Sequence, residues 1–232
     1  MRRPWLRVLA EVVLVFLSIL AAFSLETWRV DRGEIDRELI ILAGMVPEFE
    51  AAEAEASDLL EDHLVSRAQF VELHRLLHSG DGVLYPDSTL ALTERLWTVS
   101  AFRPQMPVYE NLLSSDGLGF IRSDSLRTAL RGYELTVRAN RDWDDYLRAY
   151  DEGLMVETLA SRLPLFTWAF EDDDFGGPLR PDVAELSMDM EFRNLIAIRA
   201  NAAAVLVDRR SNLIDRLQEV RRLLDSILQA AG

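Results

Sequence analysis

The chain has 232 residues, a formal net charge of −14 at pH 7 and no cysteine, and all 25 of its Lys and Arg positions are arginine. The missing cysteine excludes disulfides, thiolate metal sites and thiol catalysis, and the missing lysine excludes Schiff-base chemistry and a Walker-type lysine. The acidity argues against nucleic acid as a partner, because neutralising phosphates takes a basic face.

Charge is divided unevenly. Residues 1–28 hold three Arg and two Glu, a net +1, whereas the remainder holds 22 Arg against 37 acids, a net −15. Within the first part, residues 12–25 read VVLVFLSILAAFSL, fourteen residues without a charge. Leu6, Val8, Leu9 and Ala10 extend that run, interrupted by Arg7 and Glu11. As a helix, residues 5–28 would be about 35 Å long, enough for a hydrocarbon core of about 30 Å. Trp5 and Trp28 would then stand at its two interfaces.

Three readings compete for this stretch. It is a retained transmembrane anchor, a signal peptide with Arg2 and Arg3 ahead of a small-x-small site at Ala22-Phe23-Ser24, or a buried helix of a soluble fold. Glu11 would cost roughly 2–3 kcal/mol in a span, but Arg7 lies one turn earlier and offsets it by pairing or snorkelling. The expectation is therefore a retained anchor over residues 1–28 and a second domain over 29–232. Arg2, Arg3 and Arg7 favour a cytoplasmic tail, and an acidic body is repelled by an anionic leaflet.

From Ile35 the pattern turns to a long heptad. Leu42, Met45, Phe49, Ala52, Ala56, Leu59, His63, Ser66, Phe70, Leu73 and Leu77 alternate at spacings of three and four, the seam of a coiled coil or helical bundle. Pro47 is expected to kink or break that helix, and Ser79-Gly80-Asp81-Gly82 to end it. A shorter helix is predicted from Pro86 to about Ser100 and a one-to-two-turn helix from Pro107 through Leu113. Ser123 or Asp124 caps a second long helix to about Leu163, with Leu126, Leu130, Tyr133, Val137, Trp143, Leu147, Tyr150 and Leu154 on its apolar side. Residues 164–182 read as an exposed loop. A third long helix spans about 188–230, its seam running through Phe192, Ile196, Arg199, Ala203, Leu206, Arg210, Leu213, Leu217, Val220, Leu224 and Ile227. The expected fold is all-α: an amino-terminal transmembrane helix, then an elongated antiparallel bundle of three long helices, each roughly 60 Å, and two short ones.

Few residues carry chemistry. His74 and His78 have the i, i+4 spacing that can chelate a metal, but HRLLH lacks the glutamate of a zincin motif, and both fall on the apolar face with His63. They are the only handle for a metal-dependent enzyme. The run Glu171-Asp172-Asp173-Asp174 lacks the alternating ligands and central glycine of a calcium loop. Arg199 and Arg210 interrupt an otherwise apolar seam, and a buried charge must be paired. Asn140 and Asp144 stand at a matching depth on the second long helix. The four form either a polar layer that sets helix register or the wall of a ligand pocket. No cofactor, metal site or catalytic residue is expected.

Three segments together resemble a bacterial family catalogued only as a domain of unknown function. AEVVLVFLSILAAFSLETW (10–28) is similar to its amino-terminal anchor, in which a glutamate precedes the hydrophobic stretch and a polar residue and tryptophan follow it. VYENLLSSDGLGFIRSDSLRTAL (108–130) resembles its central turn-and-helix motif, with Asp116 as an extra turn residue here. MEFRNLIAIRANA (190–202) looks like the start of its last helix. The resemblance implies a single-pass membrane protein with a helical body and supplies no activity. The expected location is a bacterial inner membrane, with the amino terminus cytoplasmic on account of its arginines and the acidic body periplasmic. Expected partners are the membrane and a protein or a second copy of the chain, the body acting as an interaction or sensory module. A ligand-binding bundle using Arg199 and its neighbours is the alternative.

Overall fold

Leu42, Met45, Phe49, Ala52 and Ala56, one face of the predicted heptad, are all 0% exposed, and they lie on a single helix, α1 (Pro4–Ser79). The computed structural model of the chain describes residues 4–93, 96, 100–115, 117–163 and 181–231, and of residues 4–13, 15 and 154 the backbone alone. The expected anchor and the expected first bundle helix are one continuous element of 76 residues, roughly 110 Å at 1.5 Å per residue. The expectation of three helices of equal length is thereby corrected.

Pro47 does not break α1 either. A proline leaves the carbonyl four residues earlier without its donor. Here that residue is Ala43, which faces solvent together with Pro47, so water can satisfy the carbonyl. The buried neighbours Met45 and Phe49 hold the helix against the core on either side. Gly80, at φ 79°, then ends α1 in the left-handed conformation that glycine adopts without strain.

The chain returns along α1 in a leg that is only partly helical. It holds a 3-10 turn (Asp81–Val83), α2 (Pro86–Ala91), and α3 (Pro107–Ser114). The helix predicted as far as Ser100 stops at Ala91. Thr89 Oγ1 donates to the Tyr85 carbonyl at 2.9 Å and Thr93 Oγ1 to the Leu90 carbonyl at 2.6 Å, side-chain bonds that compete with helical ones. Carboxylates on α1 pin the rest of the leg. Arg103 N donates to Glu55 at 2.8 Å, Val108 N and Tyr109 N to Glu48 at 2.7 and 3.0 Å, and Arg122 N to Glu38 at 2.7 Å. As residue numbers rise along this leg they fall along α1, so the two run antiparallel.

A 3-10 turn (Gly117–Phe120) reverses the chain. A Cβ at Gly117 would lie 2.8 Å from the Leu112 carbonyl oxygen, which explains the glycine there. α4 (Asp124–Tyr150) comes next, its amino terminus capped by Ser123, whose hydroxyl accepts from Leu126 N. The predicted run to Leu163 is interrupted by a π turn (Asp151–Met155) before α5 (Val156–Ala160). The predicted third long helix is likewise divided into α6 (Val183–Met188) and α7 (Met190–Ala231). Asp189 stands between them in an extended conformation, and its carboxylate accepts from Phe192 N at 3.0 Å to cap α7. The loop predicted at 164–182, with its acidic run, lies outside the described residues except at its last two positions.

All described elements are helical, and they form a bundle. α7 runs antiparallel to α1, with Arg193 against His78 at one end and Arg221 against Glu50 toward the other. It is also antiparallel to α4, which therefore runs parallel to α1, a direction the fully antiparallel expectation missed because the second leg is mostly not helix. Two large apolar clusters result, with a small third of Leu147, Ala202 and Leu206 joining α4 and α7. One joins α1, α3, α4 and the carboxy-terminal half of α7 around Phe49, Tyr133 and Leu217, and the other joins the far ends of α1, α5, α6 and α7 around Leu73, Leu159 and Phe192.

Residues 14 and 16–37 of α1 protrude from this bundle and are exposed. Leu14, Phe16, Leu17, Ile19, Phe23 and Leu25, which span all sides of the helix, are 58–75% exposed. Among the described residues, no helix is long and apolar enough to cross a membrane. The side chains of Trp5, Arg7 and Glu11 lie outside the described residues. Trp28 is exposed, with the Arg32 guanidinium 5.5 Å from its ring centroid.

Candidate functional site: a buried polar layer between two apolar clusters

His63, Asn140, Asp144, Asp151, Arg199 and Arg210 are all buried. They occupy the length of the bundle between its two large apolar clusters, interleaved with the small cluster of Leu147, Ala202 and Leu206. A helix presents a new residue to the core every three or four positions, so Arg199 and Arg210 point inward because the seam of α7 does.

Arg210 is 0% exposed. Its guanidinium donates to Asp144 Oδ1 at 2.7 Å and to Asn140 Oδ1. Asp144 Oδ2 accepts from Phe102 N at 3.3 Å, and Asn140 Nδ2 donates to the Thr136 carbonyl at 2.8 Å. Three of the four residues expected to form a polar layer are thus brought together by the fold. Arg199 takes a partner outside that set. Its Nη1 donates to both oxygens of Asp151, at 2.9 and 3.2 Å, its Nη2 donates to the Leu96 carbonyl at 3.0 Å, and it lies 5.6 Å from the Phe70 ring centroid. Asp151 opens the π turn, and a π turn inserts a residue and rotates the helix beyond it. The rotation falls beyond Asp151, which continues the buried seam of α4 four residues after Leu147 and seven after Asp144, so the regular spacing was itself the available signal.

Burial dominates the electrostatics. It raises the Asp151 carboxyl above its ordinary range, against the opposing pull of Arg199. It also lowers His63 to about 4, with the positive charges of Arg210 and Arg199 adding to the effect and Asp62 opposing it. His63 is therefore neutral at pH 7, and its Nε2 has no hydrogen-bond partner among the described residues. Beside it lies a cavity of about 20 Å³ bounded by Ser66, Ser100, Leu147 and Arg199, room for about one water.

The layer holds two cations and two anions at two heights of the bundle. Arg199 and Arg210 are eleven residues apart, about 16 Å along α7. Sliding α7 by one turn would strand both guanidinium groups against apolar side chains, at a cost of several kcal/mol each. Each buried arginine is thus held to an acid from α4 or from the π turn that follows it.

His74 and His78 stack with ring centroids 6.1 Å apart. The His78 Nδ1 is shared with Arg193 Nη2 at 2.6 Å. Among the described residues, no group of three or more metal-ligating side chains converges. No family model matches the sequence, and no match is found among curated proteins or solved structures.

Proposed function

We propose that this chain is a single-pass protein of a bacterial inner membrane, anchored by residues 5–28, whose helical bundle serves as an interaction or sensory module on the periplasmic side. One observation carries the reading. Apolar side chains exposed on every side of α1 between Leu14 and Leu25 belong to the same unbroken helix as the bundle core. A helix that is apolar all round requires an apolar environment. Such exposure in water is far larger than the scattered apolar residues of an ordinary surface, and a bilayer removes it. The resemblance of residues 10–28, 108–130 and 190–202 to a bacterial membrane family supports the same reading.

Residues 26–41 separate the apolar segment from the first fully buried core position, Leu42. As helix they form a stalk of roughly 25 Å, alternating in charge through Arg29, Asp31, Arg32, Glu34, Asp36 and Arg37. The base of the bundle meets this segment at Arg122, which contacts Asp31, Glu34 and Glu38.

The reading is tested with the full chain carrying a carboxy-terminal tag. It is expected in the membrane fraction after alkaline carbonate extraction, with a carboxy-terminal alkaline phosphatase fusion active and a fluorescent-protein fusion dark. Release by carbonate would refute the anchor, and the opposite reporter pattern would refute the orientation. In-membrane crosslinking with mass spectrometry is expected to yield a defined partner or a homo-oligomer. A chain that crosslinks to nothing would overturn the interaction role.

A further inference from the structure

A second hollow, of about 200 Å³, opens between α3 and α4, ten times the size of the cavity beside Arg199. It exists because the return leg is extended ahead of Pro107 and leaves α3 to cover only part of α4. Its floor is Met106, Tyr109, Tyr133 and Val137. Both tyrosines are fixed. Tyr109 donates its hydroxyl to the Leu130 carbonyl at 3.2 Å, and Tyr133 donates to Met106 Sδ at 3.0 Å. With Phe49 the two rings form a packed trio at centroid separations of 5.1–5.5 Å. With the hydroxyls turned to internal partners and the rings buried, the tyrosines form a fixed base to the hollow, and the half-buried Leu113 and Val137 supply its accessible apolar surface.

The rim is charged with both signs. Glu110, Glu134, Arg138 and Arg141 line it, and Arg138 pairs with Glu134 at 3.0 Å. That pairing leaves Arg141 and Glu110, one cation and one anion, which make no ion pair among the described residues. An apolar floor with a few convergent polar groups is the usual make-up of a small-molecule site, and its volume suits a ligand smaller than drug size. Net charge narrows the class. The lining carries two acids and two arginines, so it favours neither a simple anion nor a simple cation, and a zwitterion answers both rim groups.

We infer that the hollow between α3 and α4 binds a free α-amino acid with an apolar side chain. Arg141 receives the carboxylate, Glu110 the ammonium, and the Met106–Tyr109–Tyr133–Val137 floor the side chain. This site is independent of membrane attachment, and it gives the sensory form of the proposed module a ligand away from Arg199.

The test uses the full chain in detergent micelles, with L-phenylalanine and L-leucine as probes in thermal-shift and calorimetric titrations. N-acetyl-L-phenylalanine lacks the ammonium, L-phenylalanine amide lacks the carboxylate, and L-alanine keeps only a methyl group as its side chain. The expected result is a rise in Tm with either apolar amino acid at millimolar concentration, and binding at least tenfold weaker for each of the three controls. Arg141→Gln and Glu110→Gln change exposed groups, so the fold is retained, and each is expected to weaken L-phenylalanine at least tenfold. Absence of any stabilisation by L-phenylalanine and L-leucine would overturn the proposal. So would equal binding of the blocked analogues, or full affinity in both variants.

Discussion

Replacing Arg210 by methionine removes a guanidinium that is 0% exposed and leaves its partner Asp144, 2% exposed, as a buried carboxylate. Asn140 Oδ1 loses its donor in the same step, while Asp144 keeps only the bond from Phe102 N. Breaking one side of a buried pair costs about 3–5 kcal/mol, whereas replacing both sides with apolar groups is often close to neutral. Arg210→Met is therefore expected to destabilise the bundle by about 3–5 kcal/mol. The double variant with Asp144→Leu should recover at least about 2 kcal/mol of that loss, short of full recovery because Phe102 N then lacks its acceptor. The assay is urea unfolding of the full chain in micelles, followed by circular dichroism. With a slope near 2 kcal/mol per M, the single variant shifts the midpoint by roughly 1.5–2.5 M. A single substitution costing under about 1 kcal/mol would contradict a desolvated pair. A double variant that merely adds the two single losses would show that the residues are not coupled, and the pair could then not hold α7 in register.

His63 makes stability depend on pH in a defined window. Its folded pKa of about 4 lies below the ordinary 6.5, so protonation favours the unfolded chain, and stability falls as pH drops from about 6.5 toward about 4. Between pH 7.5 and 5 this group alone removes about 2 kcal/mol. The stability of wild type relative to His63→Leu should shift by that amount across the interval in urea titrations, and a constant difference would refute it. Glu48→Ala leaves Val108 N and Tyr109 N without their acceptor, at an expected cost of about 1–3 kcal/mol. Hydrogen exchange in α3 should accelerate while that in α4 holds, with Glu48→Gln intermediate; unchanged exchange in α3 would show that the carboxylate does not pin the leg.

The seams of α1 and α7 were legible because they are long and regular. From Leu42 to Ala56 on α1, and from Phe192 to Leu224 on α7, the positions spaced at three and four lie in the core, the two arginines included. The second leg was illegible for the opposite reason. Its backbone is satisfied by Glu38, Glu48 and Glu55, which on a heptad wheel look like a solvated acidic face, and no local pattern ties them to amides 48–84 residues away. Breaks inside helices were missed where a side chain decided them, as Thr89 and Thr93 do at α2 and Asp189 does ahead of α7. Asp151 escaped although it continues the α4 seam seven residues after Asp144, because the neighbouring Tyr150 reads as the apolar position there. The Tyr109–Tyr133 hollow needed α3 and α4 side by side, a pairing set by the extended leg and not by either helix alone.

The stalk and the bundle are mechanically one piece, and the reason lies at the base. α1 passes from Leu25 into the core at Leu42 without a break. Beside it, Arg122 donates to the Asp31 carbonyl at 3.3 Å and stands 3.7 Å from Glu38, and its own amide donates to Glu38. Arg122 immediately precedes the Ser123 cap of α4, so the start of α4 is tied to the stalk where it leaves the bundle. Each exposed ion pair here contributes little. The backbone amide held by Glu38 is different, because that carboxylate is only 10% exposed, and bonds to a charged acceptor are worth more than neutral ones. A tilt of α1 thus moves the start of α4 directly. The buried Arg210–Asp144 pair in turn joins α4 to α7, and Arg199–Asp151 joins α7 to the π turn beyond α4. α4 is also one wall of the Tyr109–Tyr133 hollow, so a ligand in that hollow and a force on the stalk act on the same helix.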